Sequence, residues 1–491
     1  MTSTQRATQH LTPSSTQPRN LRDRARPREL PDGFWLGSAT ASYQIEGAVD
    51  ADGRTPSIWD RFCRVPGAIA HGDTGDVACD HYRRVPTDVA LMHELGLDSY
   101  RFSVAWPRVR PDGGAVNQAG LDFYRRLVDE LLDHGIHPWV TLYHWDLPQA
   151  LEDAGGWLNR DTAHRFVDYA LATYDAIGDR VPVWTTLNEP WCSAFLGYTS
   201  GEHAPGRQEG AAGLVAAHHL MLAHGQATEA LRATGTSSQL GVTLNFTVAD
   251  PADPDSAADV DAARRIDGLH NRLFLEPLLR GAYPSDVLAD TEALTFGGRG
   301  WQEVIREGDL VAIHQEVDVL GVNYYQGEAV TGTPTGDGGG PHPGPGGRPV
   351  FSAFPGCESI STVDRGLPTT DMGWTVQPEG LTRLLVRLQQ YGLPLHVTEN
   401  GAAYDDDVVE GRVHDRERTA YLEAHLGAVL DAVDAGADVR GFFYWSLLDN
   451  FEWAHGYRRR FGMVHVDYAT QVRTPKDSAL RYAEIARSRK L

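Results

Sequence analysis

The sequence Val183-Trp-Thr-Thr-Leu-Asn-Glu-Pro190 joins an apolar, β-rich run to a polar turn. The run Val183–Asn188 predicts a buried strand, because β-branched and aromatic residues dominate it and no proline interrupts it. Glu189 follows directly where this strand ends. Seven further runs of the same kind occur along the chain: Phe34–Ala39, Ser99–Val104, Pro138–Tyr143, Leu240–Asn245, Val319–Asn323, Leu395–Glu399 and Gly441–Trp445.

Amphipathic stretches separate these strands, among them Leu121–His134, Arg160–Ile177, Gly213–Ala233 and Gly380–Tyr391. Eight strand–helix units predict an α/β fold with a parallel sheet, a single (β/α)8 TIM barrel with long βα loops. The Gly/Pro tract Thr331–Pro349 has neither a helical nor a strand pattern. We interpret this tract as a mobile loop inside the sixth unit, and residues 30–491 as one domain.

Residues 1–29 are rich in Thr, Ser, Gln and Arg and lack the apolar core of a secretory signal. Their arginines and scarcity of acids resemble a transit peptide, but arginine outnumbers lysine throughout the chain. We therefore predict a disordered N-terminal leader and a cytoplasmic protein. No run approaches the roughly 18 apolar residues that a membrane span needs.

Charge and residue counts exclude several functions. The chain has 44 basic and 66 acidic residues, a net charge of −22, which disfavours nucleic acids and anionic membranes as partners. The four cysteines are too far apart for a zinc ribbon or a CxxC pair, so we interpret them as reduced and structural. Lys476 and Lys490 are the only lysines, both near the C-terminus, which makes Schiff-base chemistry improbable.

Polar or aromatic residues follow seven of the eight predicted strands. In a (β/α)8 barrel these strand ends form the mouth where active sites lie. The sequence therefore predicts a polar pocket, with these strand-end residues as candidates: Gln44, Glu46, Arg101, His144, Asp146, Asn188, Glu189, Asn323, Tyr324, Tyr325, Glu399, Trp445, Asp449, Glu452 and Trp453.

Two of these residues, Glu189 and Glu399, leave the fourth and seventh strands and point across the same mouth. A pair of carboxyls is what hydrolysis of an acetal needs: one protonates the leaving oxygen and the other stabilises or attacks the anomeric carbon. A lone glutamate here could instead cap a helix or pair with an arginine. Two together, each beside an asparagine, favour catalysis.

Tryptophans near the mouth favour a carbohydrate ligand. Trp374, Trp445 and Trp453 fall in or beside predicted loops, where a sugar ring could stack on them. We assign Trp106, Trp139 and Trp184 to the core instead.

No metal or nucleotide site is indicated. The chain has no HExxH, no Gly-rich fingerprint after a strand and no P-loop, so we predict no metal and no cofactor. His218, His219 and His224 lie in one helical stretch without a carboxylate partner there, and we interpret them as packing residues.

Five motifs together resemble the glycoside hydrolase family 1 β-glucosidases of bacterial type. They are Phe34-Trp-Leu-Gly-Ser-Ala-Thr-Ala-Ser-Tyr-Gln-Ile-Glu-Gly47, Arg101-Phe-Ser-Val-Ala-Trp106, Tyr143-His-Trp-Asp-Leu-Pro148, Thr186-Leu-Asn-Glu-Pro190 and Val397-Thr-Glu-Asn-Gly401. The resemblance runs from about Leu30 to about Ala486. It implies a retaining, cofactor-free (β/α)8 enzyme that hydrolyses terminal non-reducing β-D-glucosyl residues of cellobiose, short cello-oligosaccharides and aryl β-glucosides.

The same resemblance implies roles for single residues. Glu189 is the acid/base and Glu399 the nucleophile, with Arg101, Asn323 and Tyr325 around the nucleophile. The other substrate-binding residues it implies are Gln44, His144, Asn188, Glu452 and Trp453 at the sugar hydroxyls, Trp445 under the ring and Trp374 on the aglycone side. One departure is Leu36 directly before Gly37, where the family usually has Trp; it affects packing beneath the sugar.

Two other functions stay open. A 6-phospho-β-glycosidase would need basic or hydroxyl groups where this chain has Glu452 and Trp453, and Glu452 would repel the phosphate. A sugar-binding protein without catalysis would usually lack one of the two carboxyls. The aglycone, the activity on β-galactosides and β-fucosides, and assembly as a homo-oligomer do not follow from the sequence.

Overall fold

Eight parallel strands close into a barrel in the computed structural model, which describes residues 27–333 and 340–491. The strands are β1 (Trp35–Ala39), β2 (Ser99–Ser103), β3 (His137–Tyr143), β4 (Val183–Asn188), β5 (Gln239–Pro251), β6 (Val319–Thr331), β7 (Leu395–Asn400) and β8 (Val439–Trp445). Their order is β6-β7-β8-β1-β2-β3-β4-β5, and β5 also pairs with β6. The predicted (β/α)8 barrel is confirmed.

Eight longer helices follow the strands and cover the barrel: α1 (His81–Leu95), α2 (Gln118–Asp133), α3 (Asp161–Ile177), α4 (Ala212–Ala233), α5 (Ala257–Asp267), α6 (Pro378–Leu388), α7 (Arg416–Asp434) and α8 (Asp477–Ser488). The four helices predicted from the sequence lie within three residues of these bounds. The connecting loops carry shorter helices at Ser42–Ile45, Ile58–Phe62, Trp106–Val109, Gln149–Asp153, Leu273–Arg280, Ser285–Asp290 and Asp309–Ile313. A π-helix, Cys192–Ser200, follows β4.

Two strands are longer than predicted. Beyond the barrel, β5 and β6 continue side by side and pair from Val248 opposite Gly327 to Pro251 opposite Val330. The tract Thr331–Pro349 also contains strand structure, contrary to its composition: His342–Pro343 pairs antiparallel with Pro349–Val350. These strand segments have no strand pattern in their own sequences and are stabilised by pairing with another segment.

Residues 28–30 bond to the last residues of the sequence. The Arg28 amide donates to the Leu491 carbonyl (3.1 Å) and the Leu30 amide to the Arg489 carbonyl (2.9 Å). Arg28 and Glu29, which the prediction placed in the leader, thus bond to the C-terminal segment. Residues 1–26 of the predicted disordered leader (1–29) and residues 334–339 of the predicted mobile loop (331–349) lie outside the described residues.

Large side chains fill the barrel interior and the helix layer. Trp139, Val183, Val319 and Phe443 form a buried cluster inside the barrel, with Trp35 packed against it. Trp106, Trp139 and Trp184 are fully buried, which confirms their assignment to the core. Across the part of the chain that the structure describes, no helix is long and apolar enough to cross a membrane.

The histidines of α4 are structural, but one prediction about them is wrong. His218 does contact a carboxylate, with its Nε2 2.9 Å from Asp309. That partner comes from a distant loop, which local sequence cannot reveal. His219 and His224 bond to the Trp157 carbonyl and to the Thr186 hydroxyl.

Candidate active site

Glu189 and Glu399 face one cavity at the carboxyl-terminal mouth of the barrel. Glu189 follows β4 and Glu399 is the penultimate residue of β7; they are 5% and 3% exposed. Both line a cavity of about 280 Å³. Glu189 has a φ of 46°, a left-handed conformation that is uncommon outside glycine and frequent at functional sites. The carboxyls that the sequence singled out are brought together.

Glu399 is held by two donors. Arg101, fully buried on β2, donates to its Oε1 at 2.6 Å, and the Tyr325 hydroxyl donates to its Oε2 at 2.7 Å. Burial raises the pKa of Glu399, while Arg101 and Tyr325 oppose that rise. Both donors favour the ionised form and fix the direction of the carboxylate.

Glu189 has weaker, uncharged partners. Its Oε1 accepts from Asn323 Nδ2 at 2.7 Å and its Oε2 from the Cys192 thiol at 3.2 Å. Burial, and then the nearby charge of Glu399, raise the pKa of Glu189 to about 8. Near neutral pH the two carboxyls share one proton. Their unequal surroundings place that proton on Glu189.

A polar network lies beneath the two carboxyls. Asn188 Oδ1 accepts from Arg101 (2.6 Å) and from Asn323 Nδ2 (3.1 Å), and Thr398 donates to Asn323 Oδ1 (2.8 Å). On its other side, Asn188 Nδ2 lies 3.0 Å from His144 Nε2. These bonds fix the amide groups that in turn position Arg101 and Glu189.

His144 is neutral, because burial and then the charge of Arg101 hold its pKa well below the usual value. With Nε2 accepting from Asn188, the proton of the ring lies on Nδ1. Nδ1 has no hydrogen-bond partner among the described residues. This nitrogen is itself buried, so its donor is left unpaired inside the protein.

Glu452 and two tryptophans form the wall beyond β8. Gln44 Nε2 donates to Asn450 Oδ1 (3.0 Å) and to the Phe451 carbonyl (2.9 Å), with Glu452 Oε2 at 3.4 Å. Burial, then the charges of Glu399 and Glu189, raise the pKa of Glu452 to about 8.

The aromatic rings of the wall pack on one another. The ring of His144 stacks against Trp445 and Trp453, with centroids 5.7 and 6.0 Å apart. On the opposite side, the Trp374 ring lies 5.3 Å from the Tyr325 ring. The cavity therefore has aromatic surfaces on two sides and carboxyls between them, a mixed surface that suits a sugar.

The predicted site residues divide into two groups. Eight line the cavity: His144, Glu189, Tyr325, Trp374, Glu399, Trp445, Glu452 and Trp453. Arg101, Asn188, Asn323 and Gln44 lie behind that lining and hold its carboxyls in place.

The remaining four strand-end candidates also lie outside the cavity lining. Glu46 pairs with Arg108 (3.1 Å), Asp146 accepts from Ser42 (2.8 Å) and the Tyr324 hydroxyl donates to the Gln377 carbonyl (2.8 Å). Asp449 is bound by Lys476 (2.7 Å), and this fully buried lysine does not line the cavity.

Sequence reasoning missed other lining residues, among them Cys192, Glu202, His203, Asn245, His270, Glu328, Met372 and His455. Cys192 carried a usable signal, since it is three positions after Glu189. Asn245 and Glu328 lie on β5 and β6, and Asn245 ends the strand predicted at Leu240–Asn245; the other residues come from segments between the barrel strands. No cluster of three or more His, Cys, Asp or Glu in residues 27–333 and 340–491 has the geometry of a metal site.

A barrel whose mouth holds one carboxylate fixed by Arg and Tyr, and a second carboxyl that retains its proton, has the groups that a glycoside hydrolase requires. Comparison with known proteins agrees with this class. The chain belongs to glycosyl hydrolase family 1, which matches residues 26–491.

Named relatives are similar over nearly the whole chain. The thermostable beta-glucosidase B of Thermobispora bispora is 51% identical over 472 residues, 95% of this chain and 92% of the relative. The bifunctional beta-D-glucosidase/beta-D-fucosidase of Bifidobacterium breve is 48% identical and covers 91% of this chain and 96% of its own. The crystal structure of a psychrophilic beta-glucosidase from Micrococcus antarcticus superposes with a TM-score of 0.90 at 54% identity, covering 94% and 98% of the two chains.

Proposed function

We propose that the protein is a retaining β-D-glucosidase in which Glu399 is the nucleophile and Glu189 the acid/base. The observation that carries this assignment is the difference between the two carboxyls. Glu399 accepts from a buried guanidinium and a phenol, whereas Glu189 accepts from an amide and a thiol. A nucleophile must be ionised and an acid must hold a proton, and these surroundings favour that division.

The reaction proceeds in two displacements. Glu399 attacks the anomeric carbon as Glu189 gives its proton to the departing oxygen, which forms a covalent glycosyl-enzyme. Esterification then removes the charge of Glu399, so the pKa of Glu189 falls and its carboxylate can take a proton from water. That water releases the sugar with its β-configuration. The two carboxyls supply acid, base and nucleophile, so no metal or cofactor is needed.

The wall of Glu452, Trp453, Gln44 and His144 would bind the sugar. The Glu452 carboxyl can bond to two sugar hydroxyls. Trp445 would lie under the ring and Trp374 beside the aglycone. Asn188 and Asn323 would act near the 2-hydroxyl and the two carboxyls.

Terminal β-glucosyl residues of cellobiose, short cello-oligosaccharides and aryl glucosides are the proposed substrates. β-Fucosides and β-galactosides are proposed as further substrates, supported by the bifunctional relative of Bifidobacterium breve. A 6-phosphoglycoside is disfavoured, because a phosphate on O6 would meet the acidic side chain of Glu452 rather than a basic group.

The protein acts as one domain, residues 30–491, on a small glycoside rather than on nucleic acid or membranes. We place it in the cytoplasm, since all four cysteines are unpaired and buried, as expected in a reducing compartment. Whether it forms a homo-oligomer can be measured by light scattering.

A substrate panel tests the proposal. We expect kcat/KM for 4-nitrophenyl β-glucoside to exceed that for its 6-phosphate by at least about 100-fold, and cellobiose to be cleaved to glucose. An α-glucoside serves as the control and should not be hydrolysed. Binding of glucosides without turnover would contradict the proposal.

A further inference from the structure

The Cys192 thiol lies against the acid/base carboxyl. Cys192 begins the π-helix after β4, three residues from Glu189, and is 7% exposed. Its Sγ is 3.2 Å from Glu189 Oε2 and also lines the cavity. Among the described residues, no other side chain donates to Oε2. The isolated position of Cys192 in the sequence suggested only a structural role. In the structure its thiol also contacts the Glu189 carboxyl.

The direction of the thiol bond follows from the neighbour on its other side. Asn245 Nδ2 lies 3.6 Å from the sulfur, and an amide nitrogen can only donate. The sulfur accepts there, so its own proton is directed to Glu189. Burial, and then the Glu189 carboxyl, hold the pKa of Cys192 well above its usual value. The thiol thus stays protonated and remains a donor throughout the working pH range.

We propose that Cys192 is a positioning residue for Glu189: its S–H group fixes the orientation of the carboxyl and stabilises the ionised form that activates water. The inference rests on the proposed acid/base role of Glu189. Asn323 restrains one oxygen and Cys192 the other, so the carboxyl cannot rotate between the two steps. A thiol donates weakly, which leaves Glu189 able to carry its proton in the first step.

Other groups around Glu189 also affect its titration. Glu399 and Glu452 oppose its ionisation and Arg101 favours it. Tyr325 and Glu202 lie on the same cavity wall, and His144 and His270 are neutral there because burial lowers their pKa values. Substituting Cys192 leaves all of these groups in place.

The pH dependence of kcat/KM for 4-nitrophenyl β-glucoside tests the proposal. Losing a donor to the carboxylate raises the pKa of Glu189, so the alkaline limb of Cys192→Ala and Cys192→Val should move up by about 0.5–1 pH unit. Cys192→Ser keeps a donor and should return the limb to the wild-type position. Cys79→Ala is the matched control: Cys79 is buried and donates to the Asp449 carbonyl, so the limb should stay in place.

Two results would overturn the proposal. One is an alkaline limb that does not move in Cys192→Ala and Cys192→Val. The other is an equal shift in Cys192→Ser, since that effect would come from volume rather than from the missing donor. If Glu189→Gln keeps the wild-type alkaline limb, the proposed acid/base assignment has failed instead.

If the Cys192 variants do not fold, the proposal can be tested on the wild-type protein. The infrared S–H stretching band that is assigned to Cys192 should shift over the same pH range as the alkaline limb, because the acceptor gains charge there. The band should show no such shift in Glu189→Gln. A pH-independent band in the wild type would contradict a bond to Glu189.

Discussion

At the scale of single residues, side chains of the same type differ in their chemistry because their neighbours differ. Glu189, Glu399 and Glu452 are all glutamates, and burial raises the pKa of each. A guanidinium contacts Glu399 alone. Their residue type was readable from the sequence. The pairing of Glu399 with Arg101, 298 positions away, followed only from the resemblance to the family and not from any local pattern.

The first prediction concerns the pH profile. The kcat/KM of the wild type should be bell-shaped, with an alkaline limb near the pKa of about 8 of Glu189. Above that pH Glu189 loses the proton that the leaving group needs. The acidic limb should come from protonation of Glu399. In Glu189→Gln the alkaline limb should flatten.

The leaving group provides the internal control. Glu189→Gln should slow cellobiose hydrolysis by about 10²–10⁴-fold, because its alcohol needs a proton. The first step with a dinitrophenyl glucoside should be affected far less, because that leaving group departs unprotonated. Equal reductions for both substrates would argue against acid catalysis by Glu189.

The second prediction concerns Glu452. Its carboxyl can bond to two sugar hydroxyls, and the bonds that its ionised form accepts are stronger than neutral ones. Glu452→Ala should therefore lower kcat/KM for aryl glucosides by about 10–100-fold for each hydrogen bond to the sugar that it removes. The control variant is Glu410→Ala, on an exposed turn away from the cavity. Asp449 is not used, because its substitution would break a buried ion pair. An unchanged kcat/KM in Glu452→Ala would remove this residue from the sugar site.

At the scale of elements, the sequence predicted what local pattern controls. β4 has the bounds that its apolar run indicated, and β2 ends one residue earlier than its run. The outer halves of β5 and β6 were missed because residues such as Asp250 and Pro251 are poor strand formers. They are extended since each segment pairs with the other.

Local sequence pattern also failed to show which strand-end carboxyls face the cavity. The strand-end position alone made Asp449 a candidate beside Glu399, and only the motif around Glu399 favoured the latter. Asp449 contacts Lys476 (2.7 Å) and Arg460 (2.7 Å), so its charge is neutralised inside the protein. Only the three-dimensional arrangement shows that one carboxylate faces a cavity and the other faces a lysine.

The third prediction follows from this buried network. Lys476 is fully buried and ties the loops after β7 and β8 to the start of α8 through Asp406 and Asp449. Removing one partner leaves buried charge uncompensated, so Lys476→Met should lower the free energy of unfolding by about 3–5 kcal/mol. Denaturant unfolding measures the change.

The chain's other lysine is the matched control. Lys490 is half-exposed and pairs with the exposed Glu29. Surface pairs of this kind contribute little, so Lys490→Met should change the free energy of unfolding by less than about 1 kcal/mol. Similar decreases in the two variants would show that the buried network does not stabilise the fold in this way.

At the scale of the whole molecule, the barrel brings distant parts of the chain to one mouth. Glu189 and Glu399 are 210 positions apart in the sequence, yet they leave parallel strands at the same end. The alternation of strands and helices was sufficient to predict this convergence. The cavity's outer wall was not predictable, because its loops follow no periodic pattern.

The central claim is the division of roles between the two carboxyls, and azide rescue of two variants tests it most directly. Removing the nucleophile in Glu399→Gly should reduce turnover by on the order of 10⁴-fold or more. Azide can then enter the vacated space and attack an activated β-glucoside directly, which gives the α-glucosyl azide. In Glu189→Ala the glycosyl-enzyme still forms, and azide should release it as the β-glucosyl azide.

Proton NMR of the products identifies each anomer, and thermal unfolding of both variants checks that they fold. We predict the α-azide from Glu399→Gly and the β-azide from Glu189→Ala. The same anomer from both variants, or the two anomers exchanged, would contradict the assigned roles.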